Sequence, residues 1–114
     1  MDIEQLCEYC LAKKEATEGF PFGEDTLVFK VKGKIFLIVS LNQPQLQFNV
    51  KCDPEKAILL REEFDAIRPG YHMNKKLWNT IVIDGSLALK MIREMIDDSF
   101  ARHKIFTKKK IKSD

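Results

Sequence analysis

The chain has 114 residues, 45% of them hydrophobic, and 19 Lys and Arg against 17 Asp and Glu give a net charge of +2. That length fits one domain around one core, and eight Phe can fill it without disulfide staples. Near neutrality excludes a uniformly basic nucleic-acid binder, and an odd set of three Cys excludes a disulfide framework and fits reduced thiols in a cytoplasmic protein.

The N-terminus, MDIEQLCEYC, carries acids where a signal peptide needs basic residues and an apolar run. Ile3, Leu6, Cys7, Cys10 and Leu11 instead repeat on one face of an amphipathic helix, with Asp2 and Gln5 spaced as a capping box. Thr17 to Asp25 holds two Gly and a Pro and reads as a loop. TLVFKVKGKIFLIVS reads as a β-hairpin turning at Gly33, and Leu46, Phe48 and Val50 alternate with polar residues in a third strand. The longest apolar run, Ile35 to Val39, is far too short to span a bilayer. Asp53-Pro54 starts a helix that buries Ala57, Leu60 and Phe64 or their neighbours, Asp as the cap and Pro at the first helical position. Arg68 to Thr80 reads as a connector, WNTIVID as a further strand, and Asp84-Gly85-Ser86 as the turn into a last helix carrying Leu89, Ile92, Met95, Ile96 and Phe100 on one face. Short turns between strands imply an antiparallel sheet with helices mainly on one face, an α+β domain over residues 1–101 followed by a basic tail, 102–114.

Charge is unevenly spread. Six of the 19 basic residues (Arg102, Lys104, Lys108, Lys109, Lys110 and Lys112) fall between Arg102 and Lys112, leaving 13 against all 17 acids, or −4, outside that stretch. Attraction to nucleic acid therefore has to come from local patches or from the tail. One patch is Lys30, Lys32 and Lys34 around the hairpin turn, where alternation puts Lys30 and Lys32 on one face with Lys34 across the tip. It reads either as a wing against a phosphate backbone or as a solvated hairpin end whose lysines blunt edge pairing. The other is RPGYHMNKKLWNT, in which Arg68, Lys75 and Lys76 suit phosphate, His72 and Asn74 add polar groups and Trp78 can stack on a base. The plainer alternative is a structural connector, with Pro69-Gly70 turning the chain, Trp78 packed over the sheet and Asn74 and Asn79 satisfying loop backbone groups.

Catalytic and metal chemistry find little support. Cys7 and Cys10 form a CxxC within a helix, on its apolar face, without a second zinc-spaced pair, and read with Cys52 as buried small hydrophobes. His72 and His103 are the only histidines, and GxGxxG, Walker, GxSxG and HExxH motifs are absent. The expectation is a non-enzymatic protein without cofactor or metal.

RPGYHMNKKLWNTIVIDGSL also closely resembles the signature of the MmcQ/YjbR family of small bacterial proteins, and KCDP, GFPF and LLREEF extend the agreement from the first helix to Phe100. The resemblance implies a double-wing α+β fold and a DNA-binding label, supplies no catalytic residues, and shows one departure at Leu77, where many relatives carry a polar residue or His. The resulting expectation is phosphate-backbone contact through Lys30, Lys32, Lys34, Arg68, Lys75 and Lys76, with His72, Asn74 and Trp78 beside them. The alternative is a protein-interaction module using the sheet face or the wing edges.

Overall fold

The computed structural model describes residues 1–70 and 73–113, with side chains through Arg102. Among the described residues, three helices and six strands follow the order α1 (Ile3–Leu11), β1 (Ala16–Gly19), β2 (Thr26–Val31), β3 (Lys34–Ser40), β4 (Gln47–Lys51), α2 (Pro54–Glu63), β5 (Ile67–Pro69), β6 (Trp78–Val82) and α3 (Leu89–Ser113). No helix among them is long and apolar enough to cross a membrane.

The helix starts follow their caps. The Gln5 amide donates to Asp2 Oδ1 at 2.8 Å and the Asp2 amide to Gln5 Oε1 at 2.9 Å, the reciprocal box expected from the sequence. Asp53 Oδ2 accepts from the Lys56 amide at 3.3 Å, with Pro54 opening α2. On α1 only Leu6 and Cys10 are buried, while Ile3 and Leu11 stay exposed, so the buried stripe is narrower than its periodicity suggests.

The sheet order is β1-β2-β3-β4-β6-β5, with every pairing antiparallel. Register sets Phe29, Leu37, Val39, Phe48, Val50 and Ile81 on one face, where they form one core with Leu6 and Cys10 of α1, Ile92, Met95 and Ile96 of α3, and Leu60 of α2. Removing each of these large side chains from water contributes about 1.5–3 kcal/mol. The other face presents the row Val28, Ile38, Asn49, Thr80 and Arg68, across which Thr80 Oγ1 donates to Asn49 Oδ1. This is the expected α+β arrangement, with the helices on one side.

Three expectations need correction. The segment read as a loop from Thr17 begins as strand β1, and the connector begins as strand β5. Both are short edge strands without apolar alternation, so their pairing with β2 and β6 defines them and their composition does not. Lys32 lies beyond the end of β2: with φ of 52° for Lys32 and 77° for Gly33, the two are the central residues of a primed hairpin turn. The ladder also slips between Phe29 and Lys30, pairing Phe29 with Leu37 and Lys30 with Ile35, so Phe36 is the extra residue of a bulge and turns inward against Phe100. Lys30 therefore shares a face with Ile35, and Lys34 shares the opposite one with Val31.

A serine from α3 closes the gap this bulge opens. Ser99, with no exposed surface, donates to the Phe36 carbonyl at 2.6 Å and accepts from the Lys51 amide at 2.9 Å. It pins α3 to the point where the β3–β4 ladder parts.

Candidate nucleic-acid interface

Antiparallel strands bring the β2–β3 turn, the end of β4 and the start of β6 to one end of the sheet. The turn contributes exposed Lys32 and Lys34, and half-buried Lys30 stands just behind on β2. The connector contributes exposed Lys75 and Lys76 just before Trp78. Between them stands Lys51, the last residue of β4, opposite Trp78 and with its Nζ 5.3 Å from the indole centroid. Partial burial lowers the Lys51 pKa, and the like charges of Arg102 and then Lys34 lower it further, which places all three side chains in one electrostatic neighbourhood.

Acids answer some cations at this end and not others. Lys13 pairs with Asp97, and Lys56 with Asp98 at 2.9 Å. Among the described residues, no carboxylate lies within ion-pair distance of Lys32, Lys34, Lys75, Lys76 or Arg102. The lysine end is thus a local excess of positive charge on a body that is acidic as a whole.

The connector is shaped by hydrogen bonds and one close approach. The Asn74 carbonyl accepts from Leu77 at 3.0 Å and Trp78 at 2.9 Å, and its side-chain oxygen accepts from the Lys76 amide at 3.0 Å. Asn74 thus sets the loop that presents Lys75 and Lys76. The Gly70 amide donates to the Trp78 carbonyl at 2.9 Å, and a Cβ on Gly70 would stand 2.7 Å from Trp78 Cβ. Trp78 is only 8% exposed and roofed by Lys51, so its ring is a support for that lysine and not an open stacking platform. Tyr71 and His72 lie outside the described residues.

Arg68 stands apart from the group. It lies on edge strand β5 opposite Thr80, and its Nε donates to the Asp65 carbonyl at 3.4 Å. Hydrogen bonds from Ser86 hold the Asp84 carboxyl below its ordinary pKa, and Arg68 adds a smaller pull in the same direction. Its surroundings are therefore acidic, unlike the lysine end. Lys51 and Arg102 are the additions that sequence reasoning missed. Lys51 reads as an ordinary outward strand residue and Arg102 as the start of a tail, and only the packing of α3 along β3 and β4 brings them together.

The thiols do not make a site. Burial, then Cys7, pushes Cys10 up to about 12, and burial likewise raises Cys7 and Cys52. Buried Asn79, 1% exposed, donates to the Ala57 carbonyl at 3.5 Å, while its Oδ1 has no protein partner and borders a cavity of about 10 Å³. That space suits a single water.

A family model described as YjbR matches residues 11–102. The chain is 38% identical over 106 residues to the uncharacterized protein YbdF of Escherichia coli O157:H7, covering 88% of this chain and 85% of that one. It is 33% identical over 100 residues to the uncharacterized protein YjbR of Escherichia coli K12, with the same coverage of 88% and 85%. Its fold matches the crystal structure of a Deinococcus radiodurans protein with a DUF419 domain at a TM-score of 0.82 and 34% identity, over 86% of this chain and 75% of that one. A crystal structure from Pseudomonas syringae matches at a TM-score of 0.75 and 27% identity, over 87% of this chain and 96% of that one.

Proposed function

The chain belongs to the YjbR family, and on that premise we propose that it binds DNA without catalysing a reaction, holding the phosphate backbone at the lysine end of its sheet. The observation that carries this reading is the convergence of Lys34, Lys51 and Arg102 at that end, where burial first and then repulsion from Arg102 and Lys34 lower the Lys51 pKa. A polyanion relieves that repulsion, and a neutral ligand does not. Adjacent strands stand about 4.8 Å apart, so the row from the β3 turn across β4 to β6 spans about 10 Å. Phosphates follow one another every 3.4 Å or so of helix axis along one strand, so the row meets several at once. Asn74 and Trp78 are already engaged within the loop, which favours backbone contact over base reading.

With three to five phosphates neutralised, log K falls against log salt with a slope of about −3 to −5 on duplex DNA. Titration of labelled duplex and single strand at two salt concentrations measures it. Replacing Lys34, Lys75 and Lys76 by Gln should flatten the slope by about 0.9 for each phosphate no longer neutralised. Arg68→Gln, remote from the cluster, should leave it unchanged. Absence of binding at low salt, or a triple variant with the native slope, rejects the reading.

A further inference from the structure

The end of the sheet opposite the lysines has the complementary character. The loop from Phe20 to Asp25 joins β1 to β2 there, and Phe20 is 50% exposed, Phe22 64% and the neighbouring Leu41 42%. The aromatics are not held out by disorder. The Gly23 amide donates to the Phe20 carbonyl at 3.3 Å, the Thr26 amide to Gly23 at 3.2 Å and the Leu41 amide to Asp25 at 2.7 Å. Gly23 has φ of 116°, which glycine alone adopts readily. A loop tied at three points that still presents two Phe to water has the form of an interface anchor.

Its rim is acidic. Glu18, Glu24 and Asp25 are exposed, and the sequence has no Lys or Arg between Lys14 and Lys30 or between Lys34 and Lys51. The lysines of the β2–β3 hairpin therefore all stand at the other end. The chemistry that fits here is a basic segment with apolar side chains of its own. One such segment belongs to this chain: Lys104 to Lys112, KIFTKKKIK, which combines Ile105, Phe106 and Ile111 with five lysines.

A chain cannot present this segment to its own loop. Strand β6 ends at Val82, at the loop's end of the sheet, and helix α3 begins at Leu89 and reaches Arg102 at the lysine end, with its backbone continuing to Ser113. At 1.5 Å per residue the segment runs from about 3 to about 15 Å beyond Arg102 along the same axis, heading away. We propose that the Phe20–Phe22 loop docks the basic C-terminal segment of a second copy of this chain. The contact joins unlike surfaces, so each dimer leaves one loop and one segment open, and association grows with concentration and weakens with salt. It uses none of the residues assigned to DNA, so the two readings stand or fall separately.

Sedimentation of the full chain across a concentration series, at low and moderate salt, tests it. The native chain should self-associate at low salt and dissociate as salt rises. F20S/F22S and E24K/D25K, both on exposed positions and both checked for a native melt, should each weaken association by about tenfold or more. K108E/K109E/K110E should do the same. Mixing E24K/D25K with K108E/K109E/K110E restores one native loop facing one native segment, and association should return. A native chain that stays monomeric at low salt, an F20S/F22S variant that associates normally, or a mixture that fails to recover overturns the proposal.

Discussion

Substituting Ser99→Ala removes one oxygen and tests how the bulged ladder is held. The hydroxyl is fully buried, receives the Lys51 amide at 2.9 Å and donates to the Phe36 carbonyl at 2.6 Å. Without it, two backbone groups beside the core lose this partner, at about 1–3 kcal/mol each when water cannot replace it. Alanine recovers about 0.5 kcal/mol through its better helix propensity. The net destabilisation is about 1.5–5.5 kcal/mol. For a chain of 114 residues, an unfolding entropy near 2.1 cal/mol/K per residue turns this into a fall in Tm of about 6–23 °C. Urea unfolding gives the free energy, and amide exchange at Lys51 gives the local effect, since its protection should fall more than that of Val50. A variant within 0.5 kcal/mol of native, with Lys51 protection intact, would refute the assignment of Ser99 as the closure of the β3–β4 gap.

Other substitutions test the connector and the lysine end. Gly70→Ala places a Cβ 2.7 Å from Trp78 Cβ and 3.0 Å from the Trp78 carbonyl, both held by strand β6, and should cost about 1–3 kcal/mol in urea unfolding. A neutral outcome would mean that the connector has room to move. Lys32→Asn puts a residue tolerant of positive φ before Gly33, so it should gain about 0.5 kcal/mol while removing one charge from the turn. Lys32→Val should lose about 1–2 kcal/mol at the same site, and equal stability of the two variants rejects the turn assignment. Lys51 should titrate below 10.5 in a nitrogen-detected NMR experiment, and Arg102→Gln should move it back upward. The sign for stability follows: the folded chain releases this proton before the unfolded chain does, so the group's contribution rises with pH from the lowered pKa up to 10.5. Duplex DNA should also raise the Lys51 pKa, and failure of both shifts removes the like-charge cluster from the proposed function.

Features set by neighbours in sequence were legible before the structure. The Asp2–Gln5 box, the Asp53-Pro54 start and the turn at Gly33 each depend on residues no more than three apart, and each forms as the sequence implies. Features set by pairing were not. Ala16–Gly19 is a strand because Thr17 meets Lys30 and Gly19 meets Val28, and nothing in ATEG itself announces it. Lys32 stands in the turn at positive φ and so leaves the alternation counted from Lys30, while the shifted register beside Phe36 sets Lys34 on the face opposite Lys30. The candidate site was legible in half for the same reason. Its turn and connector lysines stand in two visible runs, whereas Lys51 and Arg102 are 51 residues apart and meet only because α3 packs along the strand that carries Lys51.

The two outermost strands govern how the molecule behaves in a crowd of its own kind. A seventh strand has two places to attach, beside β1 or beside β5. β5 is three residues long and ends in Pro69, which has no amide to offer, and the Ile67 amide is already spent on the Phe64 carbonyl. β1 is four residues long, with Thr17 and Glu18 exposed and two glutamates, Glu15 and Glu18, along its length and start. Among the described residues neither rim is a long, flat template for backbone zippering, which disfavours edge-to-edge pairing of folded copies. Assemblies then rest on side-chain contacts, and those made of lysine and carboxylate come apart when salt is added.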